Sequence, residues 1–205
     1  TGSITLNGIP LPQVDLGRMI MVLMQDVSTF SASLRTNMLI ARDPALGEVS
    51  DETLWEALEM VGFAEDVRAL QGGLEHSASG LSGGQKQRLG LARSVLANKP
   101  YVLMDEPSSA QDPVTADIVH RTLGDLKQMA PLEERPTTLL VITHSLALAK
   151  TMSHAIIMGN YTMLEAGSKE ELLERKGVFY QLVGANEGLE IDSQGRGSIT
   201  AERLQ

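Results

Sequence analysis

The chain reads as an α/β protein built on a mostly parallel sheet, and three observations point there. Residues 19–24 (MIMVLM), 101–104 (YVLM) and 139–142 (LLVI) are continuous apolar runs, the pattern of strands buried on both faces. Each run ends in polar residues: Gln25 after the first, Asp105-Glu106 after the second, and His144 after Thr143 in the third. Between the first two runs, residues from about 31 to 98 read mostly as helices. If the three strands are parallel neighbours, their polar ends converge on one crevice at the sheet edge where ligands bind in this class. Acid, base and amide gathered there form a catalytic arrangement.

Composition narrows the classes. With 205 residues and 42% hydrophobic content, one sizeable core is expected, as one domain or a domain with a subdomain. Acidic residues outnumber basic ones, 26 to 17, for a net charge of −9. That argues against broad nucleic-acid binding, yet leaves room for one nucleotide held by backbone amides. There is no cysteine, hence no disulfide framework and no Cys-ligated metal, which suits a reducing compartment. The apolar runs fall far below the roughly 18 residues of a membrane span, and no signal-peptide pattern opens the sequence. The first residue is Thr1 rather than Met, as expected of a piece of something longer.

In order along the chain, Ser3-Ile4-Thr5-Leu6 alternates and meets Asn7-Gly8, a short strand into a turn. Pro10 and Pro12 keep the following residues out of helix. After the first buried strand, Asp51-Glu52 opens a helix with Leu54, Leu58 and Val61 at helical spacing, which Gly62 closes. Trp55 belongs to the core or a subdomain interface. Residues 71–80 form a Gly/Ser-rich loop in which His76 is a solvated histidine. Leu81-Ser82-Gly83-Gly84-Gln85 is a helix entrance: Ser82 is an N-cap and Gln85 completes the S-x-x-Q capping box. The two glycines leave bare N–H groups facing outward, an anion site if the helix is more than an ordinary capped one. That helix runs from Gln85 to about Ala97, with Leu89, Ala92, Val95 and Leu96 inward, and ends at Asn98-Lys99-Pro100.

The second strand delivers Asp105 and Glu106 to the sheet edge, where two buried carboxylates are costly without a cation or positive partner. Alternation along a strand sends the two side chains opposite ways, so they should not share one role. Asp112-Pro113 opens a further helix with Val114, Ile118, Leu123, Leu126 and Met129 on its buried stripe and His120 nearby. Ala155-Ile156-Ile157-Met158 and residues 161–165 form a hairpin around Gly159-Asn160. Residues 167–173 cap a helix, and from Asn186 onward a flexible tail is expected.

LSGGQ at 81–85, followed by Lys86-Gln87-Arg88, resembles the signature sequence of ABC-family ATPases. Residues 24–37 (MQDVSTFSASLRTN) resemble the Q-loop region of ABC exporters, with Met24 where many relatives carry proline. Residues 101–106 resemble a Walker B motif with its adjoining glutamate, and Ser109-Ala110-Gln111-Asp112 resembles a D-loop with Gln111 in place of leucine. His144 resembles the switch histidine, and residues 177–183 the exporter C-terminal end. The resemblance implies an ABC-type, RecA-like P-loop NTPase core with a helical signature subdomain: core at 1–30 and 99–185, subdomain at 31–98, flexible tail at 186–205. It implies ATP and Mg²⁺ as ligands, with Glu106, His144 and Gln25 catalytic and Asp105 and Gln25 serving the metal. Ser82, Gly83, Gly84, Gln85 and Asp112 would meet nucleotide across a dimer interface with a second nucleotide-binding domain, identical or not. The other implied partners are the membrane domains of a transporter, with no nucleic acid, and the place is the cytoplasmic face of a membrane.

One family element is missing from these residues. A P-loop needs G-x-x-x-x-G-K-[ST], and none of the six lysines follows a glycine. The resemblance begins just after that loop and its helix, so the expectation is an exporter-type nucleotide-binding domain lacking its N-terminal part, with the chain alone inactive. A non-catalytic interaction module, or a soluble ABC ATPase, is the alternative.

Overall fold

The structure, a computed structural model, describes residues 2–107, 118–124 and 137–185, together with the backbone of 190–191 and 197–198. The chain forms two compact units, Thr1–Ile142 and Thr143–Gln205.

The first unit opens with a hairpin, β1 (Thr5–Leu6) and β2 (Ile9–Pro10), around Asn7-Gly8. Both turn residues have positive φ, 51° and 79°, the geometry that favours Asn-Gly in tight hairpins. The prolines exclude an α-helix but not a 3-10 turn: Leu11–Gln13 forms one with Pro12 in its first positions, where a missing N–H costs nothing. Helix α1 (Leu16–Met19), capped by Asp15, takes Met19 out of the first apolar run, so strand β3 is Ile20–Leu23.

Strands β3, β4 (Tyr101–Asp105) and β5 (Thr138–Ile142) form a parallel sheet in that order. Val102 pairs with Met21 on one side and Leu139 on the other, and Leu103 with Val22 and Leu140. This register sorts the two faces. Met21, Leu23, Val102 and Met104 are buried, whereas Val22 is 49%, Leu140 51% and Ile142 62% exposed. Burial on both faces, expected from unbroken apolar runs, is therefore corrected for this unit. The packed face is set by the helix against β3, while Val22, Leu140 and Ile142 point the other way.

That packing comes from the helical region, α2 (Leu34–Leu39), α3 (Asp51–Met60), α4 (Ala64–Ala69) and α5 (Gly83–Leu96). Its core is Leu34, Met38, Leu54, Leu58, Val61, Phe63, Val67, Leu89 and Leu91, none with exposed surface. Ser33 and Ser50 cap α2 and α3, and Gly62 closes α3 at φ 61° as predicted. Arg35 joins α2 to Asp51 at the start of α3 (2.6 Å) and to Glu75. The paired Asp51 holds its carboxyl below the usual range, chiefly through that hydrogen bond. Trp55 is half-buried with the Arg68 guanidinium 5.1 Å over its ring, a packing role. Helix α6 is described over 118–124. Val119 and Leu123 are fully buried, and Thr122 Oγ1 donates to Met60 O (2.9 Å). The stripe is thus rotated toward Val119, with Ile118 half-buried; Val114, Leu126 and Met129 lie outside the described residues.

In the second unit, Ser145 caps α7 (Leu146–Thr151). Strands β6 (His154–Gly159) and β7 (Thr162–Ser168) form the expected hairpin, with positive φ at Asn160 and Tyr161. Ser168 and Glu171 build a capping box on α8 (Lys169–Arg175), and Glu165 Oε2 accepts the Phe179 N–H (2.8 Å) at the start of α9 (Val178–Ala185). Within the expected tail, β8 (Glu190–Ile191) and β9 (Gly197–Ser198) pair antiparallel; the rest of it lies outside the described residues.

Candidate functional site

The capping box forms as the sequence requires. Gln85 N–H donates to Ser82 Oγ (3.3 Å), and Ser82 N–H to Gln85 Oε1 (3.0 Å). Helix bonding then starts with Lys86 N–H to Ser82 O at 2.9 Å. This divides the labour among the four residues. Ser82 and Gln85 spend their caps on each other, while the N–H groups of Gly83 and Gly84 have no partner among the described residues. A Cβ placed on Gly83 would meet nothing within 4 Å, so the space beside this glycine is open; Gly84 is half-buried. Two orphan donors on the positive end of a 14-residue helix suit a phosphate.

The loop before the signature is tied to the segment after Gln25. Ser33 and Ser77 form a β-bridge, flanked by Leu34 N–H to His76 O and Ala78 N–H to Ala32 O, both 2.9 Å. His76 is half-buried with Nδ1 3.0 Å from Gln71 O, so it braces this loop rather than standing free in solvent. Gln25 itself is exposed, two residues past the end of β3.

Beneath these elements sits a pair, Asn37 and Arg93, whose partners the sequence did not reveal. Asn37 is fully buried. Its side chain accepts the Phe30 N–H (2.9 Å) and donates to the carbonyls of Phe30 (3.0 Å), Ala32 (3.3 Å) and Ser33 (3.0 Å). From α5, buried Arg93 donates Nε to Asn37 O (2.9 Å) and its terminal nitrogens to Ser28 O (3.3 Å). Among the described residues only carbonyl and amide oxygens receive this cation, and burial pushes its pKa down from the usual guanidinium value. Helix α5 is also buried more widely than one inner face, taking in Gln87, Gly90, Leu91 and Ser94. In a sequence, Gln87 and Arg93 read as solvent-facing polar residues. Only the packing of α5 against β3 on one side and α2 and α3 on the other draws them inside.

At the sheet edge, half-buried Asp105 is the last residue of β4, opposite Ile142. Glu106 has left the strand at φ 46°, with its N–H on Ile142 O (2.9 Å) and its Oε1 buried. Strand alternation therefore does not separate Asp105 from Glu106; a left-handed turn of the backbone does. Gln25 and the Asp105-Glu106 pair thus lie at the same C-terminal edge of one parallel sheet. His144 is exposed and belongs to the second unit, and Asp112 lies outside the described residues.

A parallel sheet with acidic residues at its C-terminal edge, and a glycine-opened helix packed on its first strand, is the RecA-like α/β fold of ABC type. A solved bacterial Atm1-family ABC exporter with ATP bound matches it with a TM-score of 0.74 and 24% identity, over 93% of this chain and 33% of that one. The family model described as ABC transporter matches residues 1–109, and the chain belongs to that family. Among similar proteins is the glutathione/L-cysteine transport system ATP-binding/permease protein CydC of Escherichia coli, 35% identical over 185 residues. The match covers 88% of this chain and 30% of CydC. The lactococcin-A transport/processing ATP-binding protein LcnC of Lactococcus lactis is 33% identical, over 89% of this chain and 25% of LcnC. The chain thus spans less than a third of the length of these relatives.

Proposed function

We propose that the chain is the exporter-type nucleotide-binding domain of an ABC transporter, binding and hydrolysing ATP to energise movement of a solute across a membrane. The observation that carries this reading is the pair of orphan amides at Gly83 and Gly84, in the same compact unit as Asp105-Glu106 at the sheet edge. Relatives named for ATP-binding and transport support it.

In this reading Gly83 and Gly84 donate to the γ-phosphate of a nucleotide held mainly by a second nucleotide-binding domain, identical or not, while Ser82 and Gln85 hold the helix entrance rigid. Glu106 accepts a proton from the attacking water, His144 contacts the γ-phosphate, Gln25 is the third catalytic residue, and Asp112 serves the dimer interface. The donor set for a metal is small: among the described residues no three His, Asp or Glu converge. That fits Mg²⁺, which keeps waters and takes most other ligands from phosphates, with Asp105 and the Gln25 amide as the protein's contribution. When bound, the ion supplies charge neutralisation at the phosphates. The core is assigned to 1–30 and 99–185, the signature subdomain to 31–98 and a flexible tail to 186–205. Membrane domains of the transporter are the other partners, and the site faces the cytoplasm. Among the described residues no helix is long and apolar enough to cross a membrane.

The test is steady-state ATP hydrolysis by the full-length transporter carrying Glu106→Gln. A positioned general base contributes about 10²–10⁴-fold, and turnover should fall by that order. Undiminished turnover removes Glu106 from the mechanism.

A further inference from the structure

Glu106 stands at φ 46°, immediately ahead of Pro107. A left-handed conformation is unfavourable for a residue with a Cβ and persists only where the surroundings over-determine it. Two bonds bracket this turn. On its N-terminal side, Glu106 N–H donates to Ile142 O of β5 at 2.9 Å. On its C-terminal side, Pro107 O accepts Gln87 Nε2 at 2.9 Å, and Gln87 is only 4% exposed. The second bond comes from α5, five residues beyond Ser82, within the helix whose entrance presents the Gly83 and Gly84 amides. Proline itself brings no N–H to this turn, so the carbonyl of Pro107 is the handle by which α5 grips it.

We propose that Gln87 is a positioning residue that holds Glu106 through the Pro107 carbonyl, making the signature helix and the glutamate one mechanical unit. The proposal rests on the reading of Glu106 as general base. Under that reading, α5 touches one nucleotide with its N-terminus and, through Gln87, fixes the glutamate that acts on the other. Contact at the signature then bears directly on the geometry of hydrolysis within the same chain. Gln87 touches no reacting atom, and its effect is on where Glu106 stands.

The experiment uses the full-length transporter with Gln87→Met, which keeps length and flexibility but donates no hydrogen bond; Gln87→Asn, too short to reach, serves if that variant fails to fold. A buried neutral hydrogen bond is worth up to about tenfold in an equilibrium. The expected result is kcat lowered about fivefold to tenfold, with KM for ATP within about twofold of the unmodified protein. In a Glu106→Gln background, measured by single turnover, Gln87→Met should produce no further loss, the signature of a residue acting through another. An unchanged kcat, or an equal loss in both backgrounds, overturns the proposal. Hydrogen exchange at the Glu106 amide gives an arm independent of activity. It should quicken about fivefold or more in Gln87→Met and stay unchanged in Thr122→Val, which removes a different buried bond in the same unit. If the unmodified transporter hydrolyses no ATP, the proposed function falls and exchange alone decides the latch: faster exchange supports it, and unchanged exchange overturns it.

Discussion

Asn37 and Arg93 form a buried polar cluster in which, among the described residues, the guanidinium meets only carbonyl and amide oxygens. One amide side chain makes four hydrogen bonds to the segment that follows Gln25, and one guanidinium ties the same segment to α5. Replacing Asn37 by Ala takes the acceptor from the Phe30 N–H, while the carbonyls of Phe30, Ala32 and Ser33 keep the N–H groups of Ala32, Ala78 and residue 37; an unsatisfied group costs about 1–3 kcal/mol. Counting that one group together with the lost side-chain bonds, we expect a net loss of about 1–3 kcal/mol. Urea unfolding followed by circular dichroism measures it; a loss below about 1 kcal/mol contradicts the hub. Asn37 was visible in the sequence as part of an exporter-like pattern, but its partners were not. Those partners are carbonyls and N–H groups 4–7 residues upstream and an arginine 56 residues downstream. No periodicity encodes such a meeting.

Helix α5 shows how far element-level reading goes. Its cap, its glycine entrance and its left-handed stop at Asn98 (φ 49°) all follow from local chemistry, and all are present. Ser82→Ala should cost about 1 kcal/mol of stability, the usual value for losing an N-cap side chain. Gly90 sets two local and tertiary effects against each other. Alanine is the better helix former by about 1 kcal/mol. Yet its Cβ would lie 2.6 Å from Leu23 Cδ1 and 2.9 Å from Val27 Cγ1. Leu23 is buried and Val27 is β-branched and stiff, so neither yields easily, and overpacking typically costs about 1–3 kcal/mol. The clash wins, and Gly90→Ala should lower the melting temperature; a higher one contradicts the close approach of α5 to β3. The sequence marked one inner stripe on this helix because periodicity detects a single buried face. It has no means to detect burial on several sides.

At the scale of the molecule, the described sheet has an uncovered apolar face, with Val22, Leu140 and Ile142 each about half exposed or more. Apolar patches of this kind drive association. The 205-residue chain alone should therefore self-associate, and Leu140→Lys with Ile142→Thr should shift its sedimentation toward monomer. Equal sedimentation of both proteins removes the patch as the cause. The same 205 residues contain no Gly-Lys phosphate-binding pattern. On the expectation drawn from that pattern, calorimetry on the chain alone should find no micromolar Mg-ATP binding, and tight binding overturns the expectation.

What the sequence determined by itself was whatever is local in the chain. That covers the capped helix entrance with two bare amides, the turns at Asn7-Gly8 and Gly62, and the apolar runs ending in amide or acid, together with the family resemblance those motifs carry. Tertiary structure alone decided which polar residues are buried, which sheet face is covered, and how Glu106 is held. The physical reason is range. Capping, turn geometry and strand propensity act over a few residues, whereas the bonds from Gln87 to Pro107 and from Arg93 to Asn37 join atoms 20 and 56 residues apart, and exist only once the chain has folded.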